Sequence, residues 1–206
     1  MLVESVALQE EKRMNEIIHM MKNRRTIRRF RPEQITGEEL NAILDAGLHA
    51  PNAGGGQSAM IVACQNAGLN DELGRISRNA ETNIGPNATP VSAEQPSIRD
   101  DPNLQSGFYG APTVLTFFAK TGNYNQTGDC FVAAENVVIA AQSLGIGSCI
   151  VGRAGSTFST GRGQEIQAAW GIGSEYEARL HVVLGYPEGK EPKYKERKDG
   201  RIVIVK

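Results

Sequence analysis

Arg24-Arg25-Thr26-Ile27-Arg28-Arg29-Phe30 concentrates hydrogen-bond donors early in the chain. Arginine offers a planar fork of donors that stays charged, and Thr26 adds a hydroxyl. In an extended chain alternate residues project to one side, so Arg24, Thr26 and Arg28 suit a phosphate and the polar chain attached to it. Read alone, the run is as readily a solvated basic turn. Lys195-Glu196-Arg197 supplies a second wall of positive charge for the same anion if the fold brings the two ends together, as domains often do. Between them, Asn52-Ala53-Gly54-Gly55-Gly56-Gln57 has three consecutive glycines that let backbone N–H and C=O groups approach a flat ligand. The small residues of Gly145-Ile146-Gly147-Ser148-Cys149-Ile150-Val151-Gly152 allow the same approach to a ring system.

Other chemistries find little support. The glycine turn has neither the G-x-G-x-x-G spacing after a strand nor G-K-[ST], and no G-x-S-x-G elbow is present. His19, His49 and His181 lack H-x-x-x-H spacing, which argues against a metal site; His181, in an apolar strand, reads as a core residue. Cys149 has no nearby His/Asn arrangement and reads as a small core thiol. Cys64, Cys130 and Cys149 lie far apart without a C-x-x-C pair, so neither a disulfide framework nor a zinc knuckle is supported, and a reducing cytoplasm is their simplest home. No catalytic triad or pair of carboxylates emerges.

The 206 residues, 40% hydrophobic and 22% charged, fit one domain and exclude a chain disordered throughout, a collagen-like repeat or a coiled coil. No run of eighteen apolar residues spans a membrane, and the opening MLVESVALQEEKR lacks the apolar core of a secretory signal. Residues 1–13 are expected as a loose extension and 14–206 as a single domain. The net charge of −1 hides an uneven distribution. Eight basic residues in 12–31 and seven in 190–206 make 15 of the 22. A neutral protein with two basic poles suits a small anion better than nucleic acid, whose binders carry net positive charge and stacking aromatics.

The elements that position these residues follow from patterning. Ile17, Ile18 and Met21 predict a short amphipathic helix over 14–23. Thr36-Gly-Glu-Glu39 is a capping box opening a helix with Leu40, Ile43, Leu44 and Leu48 inward. Strands are expected at 60–64, 113–119, 148–151, 179–186 and 202–205, with Asn70 capping a short helix to about Ser77 and a further helix over 164–170. Residues 129–144, with Asp129 as N-cap and Gly145 as stop, leave almost no polar face, so that helix is buried in the core or in a subunit interface. Residues 79–112 show no periodicity; a loop of that length is a functional lid or a disordered segment. Helices and strands do not alternate with βαβ spacing, so the fold class is α+β.

In this order the motifs resemble the nitroreductase family of FMN-dependent oxidoreductases. The family's R-R-S-x-R-x-F is matched by Arg24–Phe30, and its A-P-S-A-G-N-x-Q-P-W by Ala50–Ala59. Ala111-Pro112 before a strand, Leu144–Gly147, Gly185-Tyr186-Pro187 and Lys195-Glu196-Arg197 follow. Gly55 stands where the family has Asn, and Ser58-Ala59 replace Pro-Trp. The resemblance implies a mostly antiparallel sheet flanked by helices, in an intertwined homodimer with FMN at the interface and an exchanged C-terminal strand. It implies that Arg24, Arg25, Thr26, Lys195 and Arg197 hold the FMN phosphate and ribityl chain. Arg28 sits near the pyrimidine edge, and Val151 and Gly152 approach the ring. Pro51, Asn52, Ala53, Gly54 and Gly55 come from the partner subunit, with Gln57 in the same turn. NADH or NADPH donates electrons and a flat small-molecule acceptor, nitroaromatic or quinone, receives them in a ping-pong cycle. The departures at Gly55 and Ser58-Ala59 keep a flavin-storage or specialised branch as the alternative.

Overall fold

A computed structural model describes residues 16–80, 90–122 and 124–206. The expected 1–13 extension and the start of the first helix lie outside them. A helix runs through residues 16–23 (α1), followed by α2 (Gly37–Leu48), β1 (Ala59–Cys64), α3 (Ala67–Asn79), β2 (Thr113–Lys120) and α4 (Gln126–Ser143). The chain continues through β3 (Gly147–Val151), α5 (Ala154–Phe158), α6 (Gly161–Ala169) and β4 (Tyr176–Gly185). All pairings in the four-stranded sheet are antiparallel, in the order β1-β2-β4-β3. The α+β class expected from the sequence is the one observed.

Both faces of the sheet are covered, which is why β2 is buried over seven of its eight residues and reads as an apolar run. Leu115, Phe117 and Ala119 face one core, with Ile43 of α2 and Ala134, Val137 and Ala141 of α4. Val114 and Phe118 face the other, with Leu73 of α3, Phe158 of α5 and Ile166 of α6. On β4, the pairing skips from Phe117↔Leu180 to Phe118↔Ala178. This bulge turns Ala178 to the second core although Leu180 faces the first.

The capping box forms as expected: the Glu39 N–H donates to Thr36 Oγ1 at 3.2 Å, and the Thr36 N–H donates to the Glu39 carboxylate at 2.8 Å. That carboxylate also accepts the Tyr186 hydroxyl, and these bonds hold its pKa below the usual carboxylate range. Gly47 lets α2 approach α4, since a Cβ there would stand 2.8 Å from Val137 Cγ2.

Four local expectations need correction. Leu48, expected inward, is 64% exposed at the end of α2. The cap of α3 is Asn66, whose side chain accepts the Leu69 N–H at 2.9 Å. Asn70 is buried instead, donating to Cys64 O and Pro112 O and so joining the end of β1 to the start of β2. Asp129 is not the N-cap of α4, which begins at Gln126. Residues 202–205 form no strand within this chain. Ile202 to Val205 are 76–91% exposed and pair with no strand among the described residues. The α1 stripe of Ile17, Ile18 and Met21 and the α4 residues Phe131 and Val132 are also exposed.

Candidate functional site

The basic opening segment becomes a rigid rim through its backbone. Leaving α1, where the Arg24 N–H still donates to Met20 O at 2.8 Å, the chain runs beside β3. Thr26 makes a parallel bridge to Ser148, and the Ile27 N–H donates to Ser148 O at 2.9 Å. Ile27 is buried over Gly147, where a Cβ would collide with it at 2.9 Å. Phe30 then bridges Pro187, and reciprocal bonds (Arg31 N–H to Tyr186 O, Glu188 N–H to Arg29 O, each 2.9 Å) zip the segment to the chain leaving β4.

These constraints distribute the arginines. Arg24 and Arg28 both act on the Cys149 thiol: burial pushes its pKa up, and the two cations partly oppose that. Arg28 also lies over the Tyr109 ring at 5.8 Å, and burial raises that phenol's pKa. The Arg28 Nη1 donates to Gln95 O at 3.0 Å, while its Nε is buried and has no partner among the described residues. Arg25 turns back, donating to Lys22 O and Arg24 O, and lies 5.1 Å over the Tyr194 ring. Tyr194 immediately precedes Lys195, so the C-terminal segment passes the opening one; Lys195 and Arg197 are exposed. Val151 is buried at the end of β3, and open space surrounds Gly152 just beyond it.

The glycine turn is built separately. A single 3₁₀ turn over Ala53–Gly55 has positive φ at Gly54 (60°) and Gly55 (68°), with open space around both. The Asn52 side chain accepts the Gln57 N–H at 2.8 Å and closes the turn. Asp129 anchors it from below, accepting the Ala53 N–H at 3.1 Å and the Ser58 hydroxyl at 2.5 Å. Asp129 is 2% exposed, so its carboxylate is spent on this anchor. Pro51, Asn52, Gln57, Ser58 and Asp129 line a recess of about 180 Å³.

The turn enters β1, at one edge of the sheet, whereas Arg24 to Arg28 lie along β3 at the other, with β2 and β4 between. Three strand spacings of about 4.8 Å separate the two edges. The chain therefore places Arg24, Arg25, Thr26, Arg28, Val151 and Gly152 along the β3 edge, with Tyr194 of the C-terminal segment beside Arg25, and leaves Pro51 to Gln57 at the other edge. A cavity of about 530 Å³ between α5, α6 and β4 contains none of these residues. Its Gln167 is committed to Gly173 O and Tyr176 O, and its Arg179 to Glu177. Sequence reasoning missed Gln95 and the anchoring role of Asp129. No periodicity or motif marks the first, and the second reads equally as a helix cap.

Known proteins share this arrangement. The profile of the nitroreductase family matches residues 21–186, most of the chain, and takes in the ordered motifs up to Gly185-Tyr186, leaving out Pro187 and Lys195-Glu196-Arg197. The chain belongs to the nitroreductase family. A nitroreductase with bound FMN from Bacteroides fragilis superimposes with a TM-score of 0.79 at 27% identity, covering 93% of this chain and 100% of the other. A second, also with bound FMN, from Desulfitobacterium hafniense, gives 0.77 at 26%, covering 93% and 99%. An NADPH-flavin oxidoreductase of Vibrio harveyi is 24% identical over 193 residues, 93% of this chain and 73% of its own length. Within the nitroreductase fold, the expected antiparallel sheet flanked by helices is thus observed. Among the described residues no cluster of His, Cys, Asp or Glu is arranged to hold a metal ion, and no helix is long and apolar enough to cross a membrane.

Proposed function

We propose that the protein is an FMN-dependent oxidoreductase that takes electrons from NADH or NADPH and reduces a nitroaromatic, quinone or similarly flat acceptor. The observation that carries this reading is the β3 rim, where cationic side chains line an edge that ends in the unobstructed backbone at Gly152. The buried, unpartnered Arg28 Nε supports the fit, since a donor left without an acceptor in the protein is costly unless a ligand supplies one. When bound, FMN supplies the redox chemistry, accepting hydride from the nicotinamide and passing electrons to the second substrate in one cleft by a ping-pong cycle.

The chain's own residues do the rest. Arg24, Thr26, Lys195 and Arg197 hold the phosphate and ribityl chain, with Arg25 bracing the helix end beside them. Arg28 places positive charge at the pyrimidine edge, which favours the reduced, anionic ring. The missing part of the site is a second copy's glycine turn, Pro51 to Gly55 with Gln57, because one chain places it on the opposite sheet edge. A homodimer covers Phe131, Val132 and the α1 stripe, and the extended 202–205 segment adds to the partner's sheet. The 14–206 region acts as one domain within that dimer.

The test is a visible absorption spectrum of the purified protein, repeated anaerobically after each nicotinamide. A flavin spectrum that bleaches with NADH or NADPH and recovers with menadione or a nitroarene is expected. Protein that cannot be loaded with FMN overturns the reading. A bound flavin that stays oxidised with both nicotinamides points to storage, a role that the altered Gly55 and Ser58-Ala59 positions would suit.

A further inference from the structure

The loop before β2 contains a residue whose every hydrogen-bonding group is engaged, four of its five bonds running to the two basic segments or their root. Gln95 is 1% exposed. Its Oε1 accepts the Arg28 backbone N–H at 2.7 Å, and its carbonyl accepts Arg28 Nη1 at 3.0 Å. Its Nε2 donates to Glu188 O at 3.0 Å and to Lys190 O at 3.1 Å, and its N–H donates to Ser92 Oγ at 3.2 Å. One side chain therefore grips the opening segment with its acceptor and the root of the C-terminal segment with its donor. A carboxamide suits this position, since a carboxylate has no donor for the two carbonyls and an ammonium has no acceptor for the Arg28 N–H.

We infer that Gln95 is the positioning residue whose side chain locks the Arg28 backbone to the root of the C-terminal segment, so that the two segments form one anion-binding wall, with its backbone carbonyl steadying the Arg28 guanidinium. It acts through Arg28 and the segment carrying Lys195 and Arg197, and touches no substrate. The inference rests on the flavin reading for the identity of the anion, whereas the clamp itself is a property of the free protein. It also assigns a task to residues 90–100. In place of a lid, this stretch is a wedge: Gln95, Ser97 and Ile98 are all buried.

The experiment measures residue-resolved amide exchange in the flavin-free protein and FMN affinity in the wild type, Gln95→Ala and Gln95→Glu. In Gln95→Ala the Arg28 amide loses its acceptor and exchanges about tenfold faster, and FMN binds about tenfold more weakly. In Gln95→Glu the acceptor remains, so Arg28 stays protected. The Glu188 amide, which donates to Arg29 O, then exchanges faster because the root of the segment is released. This split separates a two-sided clamp from a general loss of packing, which would raise both rates in both variants and overturn the inference. Unchanged Arg28 exchange in Gln95→Ala overturns it too, as does unchanged FMN affinity in that variant while the wild type binds FMN. Wild type that binds no FMN would sink the flavin reading and leave the exchange rates to judge the clamp.

Discussion

Two basic segments meet very different fates in this fold. Residues 24–31 are pinned: Ile27 and Phe30 are 5% and 8% exposed, and backbone bonds tie the stretch to β3 and to residues 186–188. Residues 191–206 are held at their root by Gln95, at Lys193 by the Glu94 carboxylate and at Tyr194 by Arg25, and Ile202 to Val205 stay exposed. The difference teaches that one chain holds its first basic segment rigidly and leaves most of the second exposed; on the proposed function, a partner subunit would order the second. Four consecutive exposed β-branched residues, Ile202 to Val205, form an apolar stretch of the kind that marks interaction surfaces.

Removing the unpinned segment is the strongest way to break this contrast. A chain ending at residue 190 loses Lys195, Arg197 and the apolar strand together. Light scattering should find it monomeric and the full chain dimeric. Two charge-assisted hydrogen bonds at about 1.5–3 kcal/mol each imply FMN retention weakened about a hundredfold or more. A truncated protein that keeps its dimer and its flavin would show that 191–206 is an ornament. Single replacements come next. Arg24→Ala and Arg197→Ala should each cost about 1.5–3 kcal/mol of FMN affinity by titration. If both segments contact one phosphate, the double variant should depart from additivity, since residues sharing a partner couple.

How far the sequence made this legible depends on where each residue's partner lies. The Thr36 box and the doubly buried β2 were readable because their partners are local or their environment is uniform. Asn70 and Asp129 misled because short polar side chains suit a cap as well as a distant job. Here Asn70 ties two strands and Asp129 holds the glycine turn. Gln95 carries no signal, since its partners lie 67 and 93 or more positions away and its loop has no period. The bulge at Arg179 likewise left no trace in the β4 pattern. The unbroken apolar run at 202–205 fits a strand, but it makes no β pairing with the described residues. The arginine run and the glycine turn were found as motifs. That they lie on opposite sheet edges needed the topology.

The pinned side can also be loosened by acid. His181 of β4 pairs with Val151 of β3, is fully buried, bonds Thr116 Oγ1 through Nδ1 at 2.9 Å, and packs edge-on against Phe108. Burial pushes its pKa down from 6.5 to about 3. Below about pH 6.5 the unfolded chain takes up a proton that the folded protein refuses until about pH 3. Stability from this group is complete above 6.5 and falls by up to about 1.4 kcal/mol per pH unit between those values. Chemical denaturation from pH 7 to pH 4.5 should show this slope in the wild type and a shallower one in His181→Phe. Equal slopes would place the acid sensitivity in other groups.

The smallest expected effect lies where the two segments touch. Arg25 stands over the Tyr194 ring while its guanidinium is committed to the carbonyls of Lys22 and Arg24. A cation already satisfied by α1, over a ring that is 59% exposed, gains only the weak end of a cation–π attraction, about 0.5–1 kcal/mol. A double-mutant cycle of Arg25→Ala and Tyr194→Leu, read in FMN affinity, should return a coupling of that size. A larger value would mean that Tyr194 clamps the unpinned segment in the free protomer, so that this wall too is finished before assembly. Zero coupling would leave Gln95 as the tie between the two segments and strengthen the case that the partner subunit, rather than the protomer, orders Lys195 and Arg197.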